Sequence, residues 1–152
     1  MTFTRYTQQQ AFDLLNKLFE THPDGADAKL FIVIYDRFIH AIDDLVDEKL
    51  ANEPEFLLVP FRIALNLYNT NFWHKYSNIL YPTMSVIHNT WADSVAMENS
   101  DEEWMKTQAK TLKGIGLEMY MVVVEILSSY EERRRCSLAF RENCHIQQSK
   151  TD

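Results

Sequence analysis

Glycine and proline are scarce in this chain: 3 Gly and 4 Pro stand among 152 residues. An all-β sandwich or barrel needs a turn roughly every 8 to 12 residues, so this shortage of turn formers excludes that class and leaves long helices as the expectation. Cysteine is limited to Cys136 and Cys144. On one helix those positions lie about 12 Å apart along the axis, too far for a disulfide, and a reducing compartment fits best. Long apolar runs are missing as well. Gly114 to Leu127 is interrupted by Glu118 and Glu125 and falls short of the ~20 residues of a membrane span. Met1 to Gln10 has one Arg and no apolar centre, unlike a secretory signal, so a soluble, cytoplasmic protein is expected with no membrane partner.

Positive charge is the minority: 15 basic residues face 22 acidic ones, for a formal net charge of −7. A surface of that sign repels a phosphate backbone, which excludes nonspecific nucleic-acid binding. The run Arg133-Arg134-Arg135 is offset by Glu131 and Glu132 and reads as a solvated helix face. No phosphate loop, dinucleotide fingerprint, Cys-x-x-Cys pair or His-Glu-x-x-His helix occurs, and Ser94, after Asp93, has no nucleophile elbow around it.

What is present is core material, at 46% hydrophobic and 12% aromatic residues. It is organised as a single all-α domain of six or seven helices over residues 1–142, followed by a polar tail at 143–152 that is expected to fray. Thr7 with Gln10 forms a capping box ahead of Ala11, Leu14, Leu15 and Leu18, and His22-Pro23-Asp24-Gly25 ends that helix. The second helix, about Asp27 to Leu50, carries the stripe Phe31, Tyr35, Phe38, Ile42, Leu45. Its first half, Leu30 to Tyr35, is apolar all round, which predicts burial on more than one side and a central place in the bundle.

Pro54 opens a third helix in which Pro60 makes a kink or a later start, and Asn69-Thr70-Asn71 is a weak break. Phe72 to Leu80 follows, and Tyr81-Pro82 is expected to begin a new helix through Glu98. Ser100 with Glu103 is a capping box for a helix to about Ser128, with the stripe Met105, Ala109, Leu112, Ile115, Met119, Val122, Ile126, and this helix pairs with the second at the centre. A short charged helix, Tyr130 to about Glu142, comes last. The aromatic-rich middle, from Phe56 to Trp91, suits a core better than an exposed protein-binding or dimer surface, although both remain open.

One constellation has chemical spacing. On the second helix Asp36, His40, Asp43 and Asp47 form a column with Asp44 beside it, opposite the apolar stripe. Carboxylates at i and i+4 meet in space, and magnesium takes one or two of them while keeping water positions for phosphates. Asp43, Asp44 and Asp47 are the candidate ligands, Asp93 and Glu98 a candidate second side, and His40 a candidate general base. His74 and His88 sit among aromatics and read as core or boundary residues, and His145 falls in the tail.

Asp43-Asp44-Leu45-Val46-Asp47 resembles the DDxxD motif of the all-α class I isoprenoid synthases, and Phe38 to Ile42 before it is similar in flavour to the helix of squalene and phytoene synthases. The resemblance covers about a dozen residues. It implies magnesium on Asp43, Asp44 and Asp47, gripping a substrate diphosphate. The facing motif of that family has no counterpart in spacing, since Asn89 to Glu98 does not match it. Asp44-x-x-Asp47 is also similar to half of the acidic pattern in MazG-type nucleotide pyrophosphatases.

Two functions follow. The favoured one is a small acidic binding or regulatory protein, an accessory or inhibitor of the sort mobile elements encode, acting on a protein partner that a basic surface would suit, with homo-oligomerisation open. The alternative is a magnesium-dependent all-α enzyme acting on a diphosphate or nucleotide.

Overall fold

The computed structural model describes the backbone of residues 3–151 and the side chains of residues 3–145. Among them every regular element is helical: α1 (Gln8–Thr21), α2 (Gly25–Asp47), α3 (Pro54–Tyr68), α4 (Asn71–Glu98), α5 (Glu103–Leu112), a 3-10 segment (Lys113–Leu117), α6 (Glu118–Leu127) and α7 (Tyr130–Thr151). The all-α expectation holds. The expected tail from residue 143 lies on the backbone of α7, and its side chains beyond His145 fall outside the described residues.

Local signals set several boundaries. The Thr7 capping box is complete: the Gln10 amide donates to Thr7 Oγ1 at 3.2 Å and the Thr7 amide to Gln10 Oε1 at 2.9 Å. Thr70 opens α4 in a similar way, accepting from the Trp73 amide at 3.2 Å. α2 ends in a Schellman arrangement, with the Leu50 amide donating to the Leu45 carbonyl at 3.1 Å and the Lys49 amide to Val46 at 3.4 Å. Its left-handed residue is Lys49, at φ 54°, where glycine is the usual occupant.

Other boundaries differ from expectation. Tyr81-Pro82 does not start a helix, because α4 continues through Pro82. The lost hydrogen bond is offset by a buried stripe, Leu80, Met84 and Ile87, at i, i+4, i+7. The irregular backbone falls at Tyr76 instead (φ −119°, ψ 19°). Ser100 does not form a capping box with Glu103. Its hydroxyl accepts from the Glu102 amide at 3.1 Å, two residues on, so that helix begins at Glu103. It also stops at Leu112, since Gly114 and Gly116 weaken the i to i−4 ladder and the chain tightens into a 3-10 turn.

The contacts group into two units: residues up to His22 together with those from Asn78 onward, and Pro23–Ser77. In the first, α1, α6 and α7 bury Ala11, Leu15, Met121, Val124, Cys136, Ala139 and Phe140 in one cluster. The extended residues before α1 lie along α7. The Tyr6 amide donates to the Arg135 carbonyl at 2.9 Å, Tyr6 Oη to Glu132 at 2.6 Å and Arg135 Nε to the Thr4 carbonyl at 3.0 Å, with the Arg135 guanidinium 3.9 Å from the Tyr6 ring centre. Arg133 bonds Glu125 at 2.5 Å. The arginine run expected to be a solvated face is therefore largely a fastening, with Arg134 its exposed member.

In the second unit, α2 and α3 pack as a hairpin on the first turns of α4, around Phe31, Tyr35, Leu67 and Phe72. Asp24, which precedes α2, accepts from Lys75 Nζ at 2.9 Å and from the Tyr76 hydroxyl, tying the two ends of this unit together. Within the units, α2 has α3 as its main neighbour and α6 has α7.

Candidate functional site

The acidic column of α2 forms as its spacing requires. Asp44, Asp47 and His40 are exposed, while Asp36 and Asp43 are half-buried. His40 Nδ1 lies 2.7 Å from the Asp36 carbonyl. A carbonyl only accepts, so Nδ1 carries the proton and Nε2 is the ring's basic atom. Asp93 and Glu98 lie on α4 in the other unit, both exposed, and Glu98 is ion-paired with Lys113 at 2.7 Å. Among the described residues, no group of three or more His, Cys, Asp and Glu side chains is arranged to hold a metal ion.

Ser94 is fully buried and donates to the Trp91 carbonyl at 2.5 Å. His88 is half-buried, and desolvation holds its imidazole below the ordinary histidine range. Cys136 and Cys144 are free thiols, and burial pushes Cys136 up to about 11, which leaves it a poor nucleophile.

The feature that sequence reasoning underweighted is α3. At 100° per residue, Pro60, Ile63, Ala64 and Leu67 share one face, and they are the buried or half-buried ones. Leu57, Leu58, Phe61, Leu65 and Tyr68 fall within an arc of ~100° on the outer side, in steps of three or four. All five are exposed, Phe61 at 64% and Leu65 at 71%. On α2, Leu30 and Val33 are exposed too, so the apolar start of that helix is not buried all round. The aromatic middle of the chain therefore splits: Phe72 is core, whereas Phe56, Phe61, Tyr68 and Tyr81 face outward. A second apolar stripe on an already packed helix was the available signal, and residues 56–68 carry it.

The acids concentrate at one end of this hairpin. Asp43, Asp44, Asp47, Glu48, Glu53 and Glu55 stand against Lys49 alone, so residues 43–55 hold a net −5 of the chain's −7. Comparison of the chain with protein-family profiles, with curated proteins and with solved structures finds no match.

Proposed function

We propose that this chain is a small acidic protein-binding module whose contact surface is the outer face of α3. The observation that carries this reading is the exposed stripe Leu57, Leu58, Phe61, Leu65, Tyr68. Single exposed apolar side chains are ordinary, but a contiguous row at helical spacing marks an interaction site. Burying a side chain of this size contributes about 1.5–3 kcal/mol, enough for two or three of them to dominate an interface. The magnesium-enzyme reading, with Asp43, Asp44 and Asp47 as ligands and His40 as base, rests on the α2 column alone, and among the described residues no group of three or more His, Cys, Asp and Glu side chains is arranged to hold the ion.

A photo-crosslinking residue at position 65, with a control at the exposed Gln108 on α5, tests the reading in the cells that make the protein. A discrete adduct from position 65 that disappears with Phe61→Glu is the expected result. Equal crosslinking from both positions, or none, contradicts it.

A further inference from the structure

We infer that the occupant of the α3 face is a basic amphipathic helix whose cationic end lies over residues 43–55, an inference that rests on the docking reading above. The stripe advances from Leu57 and Leu58 to Phe61, Leu65 and Tyr68, in steps of four, four and three. That spacing is the one into which the side chains of a second helix interdigitate. An extended strand would instead require a free sheet edge, and the described residues contain no strand.

Charge then selects among helical occupants. The stripe begins at Leu57, where the acidic stretch ends at Glu55, so a helix long enough to cover Phe61 and Leu65 projects at one end past Glu53 and Glu55. Asp44, Asp47, Glu48, Glu53 and Glu55 are exposed there. Lysine or arginine on that end of the partner gains from complementary potential, and acids are repelled. A second copy of this chain is poorly suited, because α3 offers one cation, Arg62, against those acids. An anionic lipid surface is poorer still, since helices that lie on membranes carry Lys and Arg on their polar face. Only a basic peptide satisfies both the apolar row and the charge beside it.

The test is selection of randomised 20-residue displayed peptides on the full chain, with Leu65→Asp and a neutralised variant, Asp44→Asn/Glu48→Gln/Glu53→Gln/Glu55→Gln, as comparators. Enriched peptides are expected to carry net positive charge with apolar residues three and four apart. They should bind the native chain at least tenfold tighter than Leu65→Asp. Their affinity should also fall at least tenfold between 50 and 300 mM salt, with that salt dependence largely lost in the neutralised variant. Neutral or acidic peptides that still require Leu65 would overturn the basic helix while leaving the docking surface standing. Enrichment indifferent to Leu65 would remove both. A dimer in sedimentation that Leu65→Asp dissolves would make a second copy the occupant, and Leu65-dependent binding to phosphatidylserine vesicles would make it a lipid surface; each overturns the inference.

Discussion

Tyr6 shows how much one residue does at the fastening of the first unit. Its hydroxyl donates to Glu132 and its ring receives Arg135, and burial together with the Glu132 carboxylate pushes its pKa up to about 12. The neutral phenol is the form the fold favours. Its contribution is fully present below the ordinary value of 10.0 and is lost as pH rises from there toward about 12. Tyr35 and Tyr76 are raised in the same direction, by burial and by the hydrogen bond to Asp24 respectively. Urea titrations between pH 9 and 12 should therefore show falling stability, with a shallower fall in Tyr6→Phe. An unchanged slope would remove Tyr6 from this role. Nothing in the residue string announces the fastening: the arginine run looked like a solvated face because the partners of Arg133 and Arg135, namely Glu125, Thr4 and Tyr6, come from other elements. The Thr7–Gln10 capping box was legible for the opposite reason, since both partners lie three residues apart on the same turn.

At the scale of the element, the legible features were those that local geometry decides. The Phe31/Tyr35 stripe on α2 is buried as its spacing demands, and the acidic column opposite it forms. What failed was the assumption that an apolar helix is buried on every side. Leu30, Val33 and the outer row of α3 are apolar and exposed, and no period in the sequence separates an apolar face that meets the core from one that does not. Pro82 misled for a related reason: its local penalty is real, but Leu80, Met84 and Ile87 carry the helix through it. The inward face of α3 should behave as core, so Leu67→Ala is expected to cost about 2–5 kcal/mol in chemical denaturation. The α2–α3 loop offers the converse. Lys49 occupies the left-handed position that glycine adopts without strain, so Lys49→Gly should stabilise by roughly 0.5–1 kcal/mol. A loss of stability would mean that the lysine side chain itself holds the turn.

Over the whole molecule, charge is unevenly spread, with a net −5 of the chain's −7 in residues 43–55, and the contacts divide into two units. The acids read as metal ligands, Asp43, Asp44 and Asp47, close α2, and the exposed apolar row runs along α3, the helix packed against it; the protein-binding proposal rests on that row. The candidate second side, Asp93 and Glu98, belongs to the other unit, with Glu98 paired to Lys113. Sequence spacing could place Asp43, Asp44 and Asp47 on one helix face. It had no means of placing residues fifty positions away in relation to them, because that depends on packing between helices.

The central claim is that the outer row of α3 serves binding and not folding, and one paired measurement on Leu65→Asp addresses it: the unfolding free energy of the variant beside its affinity for the selected basic peptide. Leu65 is 71% exposed, so the free energy should stay within about 0.5 kcal/mol of the native chain while affinity falls at least tenfold. A variant that unfolds would show the row to be part of the core, and one that binds as tightly as the native chain would show that the surface lies elsewhere.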